Sequence, residues 1–172
     1  DYPAHREAAR TSGFGIPVDE PTQSALAVSA EERHRRYEAG WEAGSLVGML
    51  LSFDDLITDK AANDTACEFI RDKIRETVDD PQVAEDLCPF DHPMGTKRPC
   101  LDTNYYATFN RDDVELVNLR RTPIAEVTEK GIRTEQAEFE FDAIVFATGF
   151  DAMTGALVAV DIEGREGVTL KQ

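Results

Sequence analysis

Five consecutive apolar residues, Ala143-Ile144-Val145-Phe146-Ala147, stop abruptly at Thr148-Gly149. A run without a polar face predicts a strand covered on both sides, as in a parallel α/β sheet. Such a sheet needs several strands, with helices packed over it. Few other segments read as strands. Residues 114–119 predict a short buried strand. Residues 124–127 predict another, turning at Glu129-Lys130-Gly131 into a strand that restarts at Ile132. Phe139-Glu140-Phe141 alternates. These are too few to bury a sheet, so the expected fold class is α/β with an incomplete sheet, completed by strands outside this chain.

The first half reads differently. Residues 1–28 are rich in Pro, Gly, Ser and Thr and predict a loop or extended arm. Gly13 and Gly15 lack a third spaced glycine, so a phosphate-cradling turn is not expected there. Ser29-Ala30-Glu31-Glu32 fits a capping box that opens a helix. Tyr37 and Trp41, four apart, share one side of that helix, where Trp41 is expected to pack. Gly40, Gly44 and Gly48 recur in polar surroundings and predict a weakened or broken helix. Residues 59–78 form the clearest helix. Ala62, Ala66, Phe69, Ile70 and Ile74 mark its apolar face, with Asp64, Glu68, Arg71, Asp72 and Arg75 largely opposite. Asp80 and Pro81 then suit the N-cap and first position of a short third helix, which Pro89 and Pro93 stop. Residues 88–100 predict a loop. Residues 102–109 predict a short helix with Tyr105, Tyr106 and Phe109 as packing aromatics.

Composition narrows the partners. Among 172 residues, 18 Lys+Arg face 34 Asp+Glu, a formal net charge of −16. Most of that surface repels a polyanion, so nucleic acid is not an expected partner. The longest apolar stretch, residues 46–53, is too short to span a bilayer, so no membrane association is expected. Three cysteines without metal spacing point to a reducing cytoplasmic setting. His5, His34 and His92 are scattered, and no metal site is assigned. Asp1 is not Met, which suggests a piece of a longer protein.

Two features carry chemistry. Lys97-Arg98 is a basic pair in an acidic chain. An ammonium suits a phosphate as a point charge, and a guanidinium is a planar fork for an oxyanion or carbonyl. Two exposed basic side chains in a loop are the simpler alternative. Thr148-Gly149 follows the apolar run, where ligands of open α/β sheets bind and where glycine lets a backbone approach closely. Its simpler alternative is an ordinary strand-ending turn.

In order and together, Gly95-Thr96-Lys97-Arg98-Pro99, Tyr105-Tyr106, Phe109-Asn110-Arg111-Asp112, Thr122-Pro123-Ile124, Ala147-Thr148-Gly149-Phe150-Asp151-Ala152, Thr154-Gly155-Ala156 and Asp161-Ile162 resemble the flavin-dependent Baeyer–Villiger monooxygenases. The resemblance extends back through Phe69-Ile70-Arg71-Asp72-Lys73-Ile74-Arg75 and Asp80-Pro81, over roughly residues 29–170. It implies FAD and NADP as cofactors, with a ketone and O2 as substrates. In that family a flavin peroxide attacks the ketone to give an ester or lactone. It further implies that residues 29–94 are a helical insertion and residues 95–150 the second half of a Rossmann-like NADP-binding domain. Residues 151–172 would return toward an FAD domain. Lys97 would contact the NADP 2′-phosphate, Arg98 would be the catalytic arginine beside the cofactor, and Thr148 and Gly149 would lie against cofactor. The chain has neither Gly-x-Gly-x-x-Gly fingerprint nor the family's Phe-x-Gly-x-x-x-His-x-x-x-Trp signature. The FAD domain and the first half of the NADP domain are therefore expected elsewhere, and the isolated chain is expected to be inactive. Two alternatives stay open: a sibling flavin monooxygenase that oxidises nitrogen or sulfur, and an acidic helical interaction module without cofactor.

Overall fold

The computed structural model describes residues 2–12, 15, 21–44, 47–97, 103–149 and 154–170. The chain divides into two compact units, Asp1–Val117 and Asn118–Gln172.

The first unit is helical: α1 (Tyr2–Thr11), α2 (Ala30–Glu42), α3 (Lys60–Thr77), α4 (Pro81–Leu87) and α5 (Tyr105–Thr108). Three of these helices start where short polar side chains can satisfy orphan amides. The Ser29 hydroxyl accepts from Glu32 N–H, the Asp59 carboxylate from Ala62 N–H, and the Asp80 carboxylate from Gln82 and Val83 N–H. Pro81 opens α4, where its missing N–H costs nothing. The apolar stripe of α3 is buried at Ala62, Ala66, Phe69 and Ile74. Its upper part packs with Ala25, Tyr37, Phe53 and Leu56, and the Tyr37 and Phe53 rings meet edge to face at 5.5 Å. Its lower part packs with Val78, Ala84 and Cys88, and Tyr106 and Phe109 close over that cluster. The Asn110 amide fastens this end, accepting from Asp79 N–H at 2.9 Å and donating to Thr77 C=O at 2.8 Å.

Several expectations for this unit need correction. Residues 2–11, expected as loop or arm, form α1, which carries an i,i+3 Glu7–Arg10 pair and, beyond Pro3 near its start, no helix breaker. Trp41 is 37% exposed rather than packed beneath α2, with its ring edge on Phe69. The glycine series does end α2, at Gly44 with φ +61, but it also serves packing. A Cβ on Gly40 would lie 2.9 Å from the Gly48 carbonyl oxygen, so only glycine admits that backbone. Residues 114–119 join no ladder.

The second unit holds an antiparallel sheet in the order β1 (Ile124–Val127), β2 (Gly131–Thr134), β3 (Glu138–Glu140). The hairpin falls where Glu129-Lys130-Gly131 placed it, with Val127 opposite Ile132 and a register irregularity between Ile124 and Glu126. Ile132 faces Phe139 across β2 and β3. A short α6 (Gly155–Ala159) follows. The sheet is incomplete, as expected. The parallel strand expected at residues 143–147 is not formed: this stretch joins no ladder, and Val145 and Phe146 are 87% and 69% exposed. A doubly covered strand takes its hydrogen bonds and its burial from neighbours on both sides, and the described residues supply none.

The Glu32 carboxylate turns toward Arg35 and Arg36, and their hydrogen bonds pull its pKa down to about 2 from an ordinary value of 4.5. A depressed folded-state pKa stabilises above the unfolded value and is lost as pH falls toward the folded one. In the intact protein, Glu32→Gln is therefore expected to speed amide exchange in α2 at neutral pH. The difference from wild type should shrink between pH 4.5 and 2.

Candidate functional site

The loop after α4 carries Lys97. Its course is fixed by contacts along its length, made by side chains of α3 and by a turn within the loop. Arg71 of α3 donates from Nε to Pro89 C=O at 3.2 Å, and its guanidinium lies 4.7 Å from the centre of the Phe90 ring. The same guanidinium pairs with Glu68 at 2.7 Å. Cys88, just before the loop, is buried, and burial pushes its thiol pKa up.

The middle of the loop is held by Asn63. This residue is 4% exposed, inside the apolar stripe of α3. Its Nδ2 donates to Leu56 C=O at 2.7 Å and to Met94 C=O at 2.9 Å. Its Oδ1 accepts from Met94 N–H at 3.0 Å and from the Cys67 thiol at 3.2 Å. A primary amide has two donors and two acceptor lone pairs, so Asn63 is saturated. Met94 N–H also reaches Cys67 Sγ at 3.3 Å. Both main-chain polar groups of Met94 are thus tied to one buried side chain. The next residue, Gly95, has φ +88, and a Cβ there would lie 3.0 Å from Leu50 Cδ2. Thr96 N–H and Oγ1 then both donate to Pro93 C=O, at 3.3 and 2.7 Å, closing a turn.

Lys97 emerges from that turn. Its side chain is 64% exposed and its ammonium lies 3.7 Å from Asp91 Oδ2. An exposed pair of that kind contributes about 0 to 1 kcal/mol, too little to hold the ammonium away from a phosphate dianion. Asp91 is itself 2.5 Å from His92 Nδ1 through its other oxygen. Arg98 lies outside the described residues. Thr148 and Gly149 belong to the second unit and are both exposed. Gly149 has φ +80, with no atom within 4 Å of where a Cβ would stand, so its backbone is open to close approach.

Sequence reasoning singled out Lys97 as a candidate and missed the residue that secures its loop. The signal was present: Asn63 shares the face of Ala66, Cys67, Ile70 and Ile74, and an amide in an apolar stripe requires partners. Arg71 was read only as part of the solvated face, yet 16% of its side chain is exposed.

No family model matches the chain. Among curated proteins it is 45% identical over 164 residues to a Baeyer–Villiger monooxygenase of Pseudooceanicola batsensis, covering 94% of this chain and 30% of that protein. It is 43% identical over 173 residues to cyclopentanone 1,2-monooxygenase of a Comamonas species, covering 99% and 32%. It is 41% identical over 167 residues to phenazine N-monooxygenase PhzNO1 of Lysobacter antibioticus, covering 96% and 30%. Among solved structures, an oxidised steroid monooxygenase bound to NADP matches with a TM-score of 0.93 at 52% identity, over 99% of this chain and 32% of that one. A structure of OTEMO with FAD and NADP matches with a TM-score of 0.90 at 42% identity, over 98% and 32%. The class is therefore that of the monooxygenases whose structures hold FAD and NADP. Within it, this chain is a homologous segment of the Baeyer–Villiger monooxygenases and spans about a third of their length.

The strained backbone of Gly95 gives a direct test of the loop. Gly95→Ala is expected to destabilise the helical unit by about 1–2 kcal/mol, the usual penalty for a side chain in left-handed backbone. Thermal unfolding of the intact protein measures it, and an unchanged midpoint would contradict the loop described.

Proposed function

We propose that this chain forms part of an NADPH- and FAD-dependent Baeyer–Villiger monooxygenase of the cytoplasm. It would act on a ketone, placing one atom of O2 beside the carbonyl to give an ester or lactone and releasing the other as water. The observation that carries this reading is the 52% identity, across nearly the whole chain, with a steroid monooxygenase structure bound to NADP. The chain covers 32% of that relative, so the FAD domain and the first half of the NADP domain would come from sequence outside it. Residues 29–94 would form the helical insertion, residues 95–150 the second half of the NADP domain, and residues 151–172 the return toward the FAD domain.

The residues present suit such cofactors. Lys97 stands exposed at the end of an anchored loop, where its ammonium would bind the 2′-phosphate of NADP and so select it over NAD. Gly149, with its open φ +80 backbone, and Thr148 beside it would let the chain lie against cofactor. FAD, once reduced by NADPH, supplies the activation of O2. Arg98, next to Lys97 in the chain, would hold a fixed positive charge where negative charge develops on the ketone oxygen. A guanidinium stays protonated at any working pH, so that charge is independent of the proton balance of the reaction.

A second reading has one observation in its favour, the 41% identity to a phenazine N-monooxygenase. It keeps both cofactors and replaces the ketone with a heteroaromatic nitrogen.

Two substitutions in the intact enzyme test the roles given to Lys97 and Arg98, and the product formed separates the two readings. Lys97→Ala should raise the KM for NADPH, leave that for NADH in place, and reduce the NADPH preference by about 10- to 100-fold, the range for one charge-assisted contact. Arg98→Ala should leave NADPH-driven flavin reduction measurable while abolishing ester formation from cyclic ketones. Ketone turnover near the wild-type rate in Arg98→Ala would refute the role given to Arg98. N-oxide formation from phenazine, with no ester from any ketone, would establish the second reading.

A further inference from the structure

Within the helical unit, α3 holds the loop that carries Lys97 through a buried side chain. Among the described residues, Asn63 alone binds both main-chain groups of Met94 through its side chain, and Met94 stands three positions before Lys97. The remaining two bonds of the amide run to Leu56 C=O and to the Cys67 thiol, so it cannot turn without breaking four interactions. Arg71 fixes the loop upstream at Pro89, and the Pro93–Thr96 turn carries the restraint forward to Lys97. A lysine has a long stem with many rotamers, and ordering it on a phosphate costs entropy. If the backbone beneath it were also free, the cost at binding would rise further. The anchored loop leaves only the side chain itself to be ordered.

We infer that Asn63 is a positioning residue for nucleotide selection: it holds the backbone of Met94 so that Lys97 is presented to the 2′-phosphate of the reduced nicotinamide nucleotide. This inference rests on Lys97 reading that phosphate. It adds that discrimination between phosphorylated and unphosphorylated nucleotide depends on a buried amide in α3, a residue with no part in contacting either one. The effect is expected in binding rather than in turnover, because Asn63 acts through the loop.

The test is steady-state kinetics of the intact enzyme with NADPH and with NADH, using Asn63→Ser, Cys67→Ala, Lys97→Ala and the double variant Asn63→Ser/Lys97→Ala. Asn63→Ser should raise the KM for NADPH about five- to tenfold, the equivalent of roughly one lost hydrogen bond, with kcat and the KM for NADH unchanged. Cys67→Ala removes one of two acceptors from Met94 N–H and leaves the amide in place. It is the milder change and should shift the preference in the same direction by about twofold. In the Lys97→Ala background, Asn63→Ser should shift the preference no further, which a merely structural role would not predict. The inference is overturned if Asn63→Ser weakens NADPH and NADH equally, or if its effect persists in full without Lys97. Where Asn63→Ser does not fold, Cys67→Ala decides, and an unchanged preference overturns it. Failure of the underlying reading has its own signature: Lys97→Ala alone would leave the NADPH preference intact.

Discussion

A single carboxamide, buried to 4% exposure on α3, is the joint on which the loop before Lys97 depends. Asn63 ties Leu56, in the turn before α3, to the loop at Met94, and shares its oxygen with the Cys67 thiol. Each bond is of ordinary strength, worth about 1 kcal/mol net. The consequence of losing them is larger, because the groups left behind are dry: an unpartnered buried carbonyl or amide costs about 1–3 kcal/mol. That asymmetry makes the joint specific rather than merely stabilising. An apolar residue of the same size would leave Leu56 C=O and Met94 C=O without their side-chain donor and Met94 N–H with the Cys67 sulfur alone.

The two units differ in how far they satisfy themselves. In the helical unit, side-chain caps start the helices, aromatic edges fill the core, and Arg75 draws Glu68, Asp72 and Glu85 into one exposed network that raises its own pKa. Such surface networks contribute little each and are screened by salt, so the core carries the stability. In the second unit, Val145, Phe146, Val160 and Val168 are all more than half exposed. This follows from a sheet whose burial depends on further strands, as it does in any open α/β layer. It agrees with a chain that covers about a third of its relatives.

Much of the helical unit was legible in the sequence because its signals are local. Ser29, Asp59 and Asp80 announce helix starts within three residues of the amides they cap, and the α3 stripe repeats with helical spacing. The hairpin at residues 128–130 was legible for the same reason. The expected strand at residues 143–147 went astray because a strand is a relation between chain segments, and its partners lie outside the described residues. Residues 2–11 went astray because the glycines and prolines that suggested an arm sit mostly beyond α1. Lys97 stood out as half of a basic pair in an acidic chain, and took its candidate role from the family resemblance. Asn63 did not, since its partners at Leu56 and Met94 lie 7 and 31 residues away and only tertiary structure brings them together.

The most direct measurement of this joint is hydrogen exchange at the Met94 amide in the intact enzyme. An N–H shared between Asn63 Oδ1 and Cys67 Sγ at 3.0 and 3.3 Å should exchange as slowly as the amides in the middle of α3. Exchange at the rate of an unstructured loop would show that Met94 is not held, and that Lys97 is presented by some other means.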